Sequence, residues 1–268
     1  MMLTVVIPCY NHGQYIQEAI DSVLTYQDQP VEIIIVDDGS TDLYTINKME
    51  ELKALNYQII QQKNAGLATA RNVGIAKARG KYILPLDADN KIKADYIKKA
   101  IQLLETNSYD IIYAKPSFFG KVTEDRIFST REFNGKDLIF TNYIDACAIY
   151  RKEIWTKNNG YDAHMPYQGL EDWDFWLNSY FNNFRFIFIN EELYQYRILE
   201  NSMIVNTFQG NRHEESHRYI INKYSYFIYN ALIDSNSINQ IYYNDRNRPF
   251  RTSIKYLSLA LKRIFNIK

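Results

Sequence analysis

The chain has 268 residues, 46% of them apolar, with 31 Lys and Arg balanced by 31 Asp and Glu and only two cysteines. That length buries a core without covalent staples, and a net charge of zero offers no field for nucleic acid, so no nucleic-acid partner is expected. Cys9 and Cys147 are too far apart in sequence for a Cys-x-x-Cys site and too few for a disulfide framework, which fits a reducing compartment.

The chain opens on "MMLTVVIPCYN", which lacks the basic segment of a secretory signal, and no apolar run approaches twenty residues. A cytoplasmic protein without a transmembrane helix is expected. "LTVVIP" is a predicted buried strand. "QYIQEAIDSVLTY" is a predicted helix with Ile16, Ala19, Ile20, Val23 and Leu24 on one face. "VEIIIVDDGSTD" is an apolar strand closing on Asp37, Asp38 and Gly39, with Thr41 or Asp42 available to cap the next helix. A short strand "YQIIQQ" precedes "GLATARNVGIAKA", a helix of small residues stopped at Gly80. Then come a strand "KYILPL", a helix "ADYIKKAIQLLE" and a strand "YDIIYA". Continuous apolar strands alternating with helices predict a mostly parallel α/β sheet covered on both faces. Ligands of such sheets bind beyond the carboxyl ends of the strands, where "PCYN", "DDGSTD" and "DADN" stand.

Further on, residues 115–134 suit hairpin strands and "YIDACAIY" a strand. "GLEDWDFWLNSYF" has helical spacing after Glu171, and "NFRFIFIN" and "ELYQYR" suit two more strands of the same sheet. From about residue 208 the chain is helical and aromatic, "SNSINQIYYNDRNRP" marks a break, and "FRTSIKYLSLALKRIFNIK" is a basic amphipathic helix. Ile254, Leu257, Leu261, Ile264 and Phe265 share its apolar face. Such a helix suits packing on the rest of the chain, a homodimer contact, or a peripheral position on an anionic bilayer.

Three acidic clusters stand out. Asp87 and Asp89 follow the apolar run "YILPL"; carboxylates ~4 Å apart repel by roughly 4 kcal/mol at an effective dielectric near 20. One is protonated, both face water, or a divalent cation lies between them, as Mg²⁺ does with one or two carboxylates and substrate phosphates. Turn chemistry explains Gly39, Ser40, Thr41 and Asp42, but not the successive Asp37 and Asp38 behind apolar residues. Glu171 and Asp172 suit either first-turn acids favoured by the helix dipole or a general base in a cleft.

In order, "VVIPCYN", "IIIVDDGSTD", "NAGLATARNVGIAKARGKYILPLDADN" and "NNGYDAHMPYQGLEDWDFWLNS" resemble the family-two glycosyltransferases over roughly residues 3–203. The resemblance implies the GT-A fold, with a catalytic domain over 1–205 (donor half about 1–115, acceptor half about 116–205) and a helical C-terminal extension over 206–268. It implies that Pro8 and Tyr10 line the nucleotide base, that Asp38 accepts a hydrogen bond from the base, and that Arg71 faces the donor. Asp87 would contact the ribose or a metal-bound water, and Asp89 would ligate Mn²⁺ or Mg²⁺ on the diphosphate. Asp172 would be the catalytic base, with Glu171 beside it on the acceptor. The implied partners are a nucleotide diphosphate sugar, commonly a UDP-sugar, and a saccharide or lipid-linked acceptor of bacterial surface polysaccharide or lipooligosaccharide synthesis. An inverting transfer is expected. Relatives often carry His or Arg shortly after the "YR" at Tyr196 and Arg197, where this chain has Leu199; Arg197 is a partial substitute or a strand-end ion pair. His213 and His217, one turn apart, suit a solvated face. Rival readings are a sugar nucleotidyltransferase, against which stands the single glycine of "PCYNHGQY", and a non-catalytic carbohydrate-binding scaffold, against which stand the four retained acids.

Overall fold

The computed structural model describes residues 2–200 and 210–248, with 251, 254, 255 and 257. The chain divides into two compact units, Met1–Ile220 and Ile221–Lys268.

The first unit is built on an eight-stranded sheet. Strand β1 (Leu3–Cys9) is buried at every residue and pairs in parallel with β2 (Val31–Asp37) and β4 (Tyr82–Pro85); β2 pairs in parallel with β3 (Gln58–Gln61). With β5 (Lys91–Ile92), β6 (Ile111–Gly120), β7 (Ile149–Arg151) and β8 (Phe186–Ile198), the order is β3-β2-β1-β4-β7-β6-β8-β5. Strand β7 runs antiparallel to both β4 and β6, β6 and β8 are parallel, and β5 is antiparallel to β8. The strands buried on both faces are those that read as unbroken apolar runs.

Helices α1 (Gly13–Leu24), α2 (Leu43–Ala54), α3 (Leu67–Lys77) and α4 (Ala94–Glu105) connect the first strands. Ile16, Ala19, Ile20 and Val23 of α1 are buried, but Leu24 is 49% exposed. Leu24 lies roughly 80° around the axis from Ile16, at the edge of the stripe. Of the two candidate caps of α2, Asp42 serves: its carboxylate accepts from the Thr45 N–H at 2.8 Å. Helix α3 needs its small residues because it lies directly on the sheet; a Cβ at Gly74 would stand 2.4 Å from Val6 Cγ1. It stops at Lys77, before Gly80.

Three expectations change in the second half. Residues 115–134 form no hairpin: β6 continues to Gly120 beside β8, and a 3-10 turn follows at Glu124–Arg126. The two strands expected over 183–197 are one strand, β8, whose register slips opposite Lys115 and Pro116. Pro116 has no N–H for the ladder, and the irregularity absorbs that loss. The run 143–150 is a strand only at its end. Before β7, Asn142 Oδ1 accepts from the Ile144 N–H (3.1 Å) and Asp145 Oδ1 from the Cys147 N–H (2.9 Å), so side chains take backbone donors that a ladder would use.

Helices α5 (Gly135–Phe140), α6 (Lys152–Lys157) and α7 (Glu171–Phe181) cover this half, and α8 (Arg212–Lys223) spans the division at residue 220. Helix α7 buries Trp173, Phe175, Trp176 and Leu177. Its indoles fix it: Trp173 Nε1 donates to Leu138 O (2.7 Å) and Trp176 Nε1 to Ile144 O (2.9 Å). Cys9 and Cys147 are both free and buried. In the second unit, α9 (Ser225–Asn247) runs through the expected break, since neither Gly nor Pro interrupts it before Pro249. Among the described residues no helix is long and apolar enough to cross a membrane. The expected basic helix over 250–268 lies largely outside the described residues.

Candidate active site

The parallel strands end level with one another. Cys9 stands opposite Asp37 and Val6 opposite Pro85; beyond the ladders, the Asp38 N–H donates to Cys9 O and the Leu86 N–H to Val6 O, both at 2.9 Å. The loops that follow carry the first group of expected site residues to one edge. Pro8 is buried within β1, and Tyr10, just past the strand, is 46% exposed. Gly39 turns the chain out of β2 with φ +74°, and a Cβ there would lie 2.6 Å from Asn64 N. Asp37 accepts from the Ser40 N–H (3.0 Å). Asn11 ties the first two loops together, its Oδ1 accepting from the Thr41 and Asp42 N–H groups at 2.7 and 3.1 Å. Asp38 is 4% exposed and accepts from Gln62 Nε2 (2.7 Å) and from the Ala65 and Gly66 N–H groups (2.9 Å each). Asp38 thus already holds the loop ahead of α3, where the resemblance has it accept from a nucleobase.

A cavity of about 640 Å³ opens beside this edge. Asp87 lines it from beyond β4, Asp145 from the turn ahead of β7, Glu171 and Asp172 from the start of α7, and Tyr196 from β8. Asp87 and Asp172, remote in sequence, therefore share one hollow. Asp89 is not among its lining residues, but Asp87, Asp89, Asp145 and Asp172 all act on the Tyr196 phenol, which burial and then these charges (Asp145 foremost) push up.

Asp172 Oδ2 accepts from Asn142 Nδ2 (3.1 Å) and Oδ1 from the Trp173 N–H (2.7 Å). Burial holds its carboxyl well above the ordinary range, Glu171 and Asp145 add to this, and Arg71 opposes it. A carboxylate so placed is a stronger base than a solvated one. Glu171, expected on the acceptor, is 3% exposed, and its oxygens accept from Arg71 Nη1 (2.8 Å) and the Gly169 N–H (2.7 Å). Arg71, expected to face the donor, is 1% exposed, and its other Nη2 donates to Asp87 Oδ1 (2.8 Å). Arg197 is an internal clamp: Nε donates to Asp89 O (2.9 Å), Nη2 lies 2.9 Å from Glu18 Oε2, and the guanidinium lies over Tyr15 and Phe119. His213 and His217 line the cavity rather than a solvated face, with the His217 ring 5.0 Å from Trp173.

Sequence reasoning missed Asp145. Burial, then Asp87, pushes its carboxyl up to about 7. An Asp inside a strand-like run, where that residue is disfavoured, is the signal that could have found it.

The donor set fits a hard divalent cation. Burial and then Asp87 push Asp89 up to about 7 against the opposing charge of Arg197, Asp87 is paired with Arg71, and carboxylate oxygens of this kind suit Mg²⁺ and Mn²⁺. Among the described residues no three His, Cys, Asp or Glu form a metal-holding group. Protein ligation would come from the Asp87–Asp89 pair, with substrate oxygens completing the shell.

The chain is similar to known proteins in sequence and fold. A crystal structure of residues 1–349 of S. aureus TarS in complex with UDP-GlcNAc superposes with a TM-score of 0.65 at 25% identity, over 80% of this chain and 64% of that one. This likeness identifies the sheet and its helices as a GT-A fold. An uncharacterised glycosyltransferase of Haemophilus influenzae is 29% identical over 95% of this chain and 84% of its own length. A Bacillus subtilis protein named as a putative teichuronic acid biosynthesis glycosyltransferase, TuaG, is 27% identical over 78% and 84%. The family model described as Glycosyl transferase family 2 matches residues 4–157, more than half of the chain, and the chain belongs to the family 2 glycosyltransferases.

Proposed function

We propose that the chain is an inverting, metal-dependent enzyme that transfers a sugar from a UDP-sugar to a hydroxyl of a saccharide or lipid-linked saccharide in bacterial surface polysaccharide or lipooligosaccharide synthesis. The observation that carries this reading is the common cavity of Asp87, at a strand end, and Asp172, at a helix start. The UDP and UDP-GlcNAc bound by the TarS structures support the donor class, and TuaG's name supports the setting.

In this reading the nucleotide lies along the ends of β1 and β2, near Pro8, Tyr10 and Asp38, with Asp87 toward the ribose and diphosphate. Asp172 takes the proton of the acceptor hydroxyl as its oxygen bonds to the anomeric carbon; the bond from that carbon to the diphosphate oxygen breaks, and its electron pair leaves with UDP. Attack opposite the leaving group inverts the centre, so an α-linked donor yields a β-linked product. Asp89, with Asp87, would hold Mn²⁺ or Mg²⁺, which supplies charge neutralisation at the diphosphate without a proton transfer. The apolar and aromatic side chains exposed on α9, among them Tyr226, Tyr229 and Ile233, with Arg246 and Arg248 at its end, support a peripheral contact with an anionic membrane that carries the acceptor.

A panel of UDP-sugars and saccharide acceptors, assayed for UDP release with Mn²⁺ and with chelator, tests the proposal. Metal-dependent UDP release that rises with acceptor is expected. Pyrophosphate turnover would favour a nucleotidyltransferase, and silence with every pair a non-catalytic binder.

A further inference from the structure

Arg71 and Glu171 line the cavity, yet both are buried and paired with each other through Arg71 Nη1. The Arg71 guanidinium reaches Glu171 through Nη1 and Asp87 through Nη2, both at 2.8 Å. Glu171 is the residue before the proposed base, and its second oxygen holds the Gly169 N–H at 2.7 Å, so the carboxylate fixes the first turn of α7 from both sides. The neighbouring residue on α3 repeats the connection. Asn72 Oδ1 accepts from Trp155 Nε1 and from the Tyr161 N–H at 2.8 Å each, and Asn72 Nδ2 donates to Tyr161 O at 2.7 Å. The Tyr161 ring lies 5.5 Å from the guanidinium carbon and stacks on Phe175, one turn into α7, at 4.3 Å.

We infer that Arg71 and Glu171 are positioning residues: a buried strut from Asp87, beyond β4, to the first turn of α7 that sets where Asp172 stands relative to the bond being broken. The inference rests on the transferase reading for the role of Asp172, and on the contacts above for the strut itself. Buried paired charges hold a geometry because each is costly to leave alone, and a planar guanidinium fixes both partners at once in a way a lysine does not. The strut also sets the charge around the base. Asp172 faces Glu171, Asp145, Tyr161 and Tyr196; Arg71 opposes their charge, and Arg126, His213 and His217 also line the cavity.

The test uses the full chain with Arg71→Met, Arg71→Lys and Glu171→Gln, and the UDP-sugar that supports turnover in the panel. For Arg71→Met, kcat is expected to fall about a hundredfold or more, at least tenfold more than donor KM rises or calorimetric UDP affinity falls on loss of the bond to Asp87, the signature of an interaction that matters chiefly in the transition state. Arg71→Lys, which keeps the charge and loses the fork, restores part of kcat. The acid limb of kcat/KM moves to higher pH in Arg71→Met, because the base loses a cation, and to lower pH in Glu171→Gln, because it loses an anion. A residue needed only for folding would not move the limb in opposite directions. Should Arg71→Met not fold, Arg71→Lys and Glu171→Gln still read kcat, KM and the limb. A tenfold weaker UDP affinity with kcat retained in Arg71→Lys, or a rise confined to acceptor KM in Glu171→Gln, would overturn the inference in favour of direct ligand contacts. Melting temperatures of the single variants and the Arg71→Met/Glu171→Gln pair test the strut without turnover: less than additive losses are expected, and strict additivity counts against it. Retained turnover in Asp172→Asn would fault the base assignment separately.

Discussion

On the β3-β2-β1-β4 side of the sheet, Asp37, Asp38 and Asp87 leave buried parallel strands whose ends the backbone ladder keeps level. On the β7-β6-β8 side, Asp145 and Asp172 come from a turn and a helix start, and side chains do the aligning: the Trp173 and Trp176 indoles, Asn142, Asn72 and the Arg71–Glu171 pair. Ladder hydrogen bonds survive most side-chain changes, whereas a buried side-chain bond is lost with its residue and strands its partner. If the proposed roles hold, the nucleotide end of the cavity should therefore tolerate distant substitutions that the proton-transfer end does not.

The largest effect expected is that of Asp172→Asn, which should lower kcat by roughly 10²–10⁴-fold, the usual range for a general base, with calorimetric UDP affinity unchanged. Next, Asn72→Ala strands the Trp155 indole N–H and both backbone groups of Tyr161. A loss of about 2–3 kcal/mol in denaturant unfolding is expected, with kcat falling more than UDP affinity. An equal loss of UDP affinity would break the contrast between the two ends. Asp38→Asn inverts it: weakening the charge-assisted bonds to Gln62, Ala65 and Gly66 should cost about tenfold in UDP affinity, roughly 1.4 kcal/mol, with kcat at saturating donor nearly intact.

The pH dependence sharpens the comparison further. Because burial, Glu171 and Asp145 raise Asp172, the proposed base is ionised above its shifted pKa and lost as pH falls through it. The acid limb of kcat/KM should stand well above the ordinary carboxylate range, and a limb near 4 would place the base in water. Smallest of all, Lys99→Ala removes an exposed pair with Glu191 and should change unfolding free energy by less than about 0.5 kcal/mol.

The ladder-positioned half was the more legible. Unbroken apolar runs, the spacing of Ile16, Ala19, Ile20 and Val23, and the small residues of α3 each state a local preference that the fold satisfies. In the other half the same reasoning placed a hairpin and two strands where β6 and β8 run long, because a ladder partner decides strand length and Pro116 is absorbed by a register slip. Asp145 looked like a strand residue because nothing local reveals that its carboxylate takes the Cys147 N–H and turns the chain toward the cavity.

From the sequence alone came the α/β sheet, the acids beyond its strand ends and the family those motifs spell, since periodicity, apolar continuity and motif order are properties of neighbouring residues. Only the tertiary structure decided which acids meet and which are free to act. Arg71 and Glu171 are separated by 100 residues, and their pairing depends on how α3 and α7 close on the same cavity. A buried charge takes its role from the groups that neutralise it, and those groups are set by packing rather than by spacing along the chain.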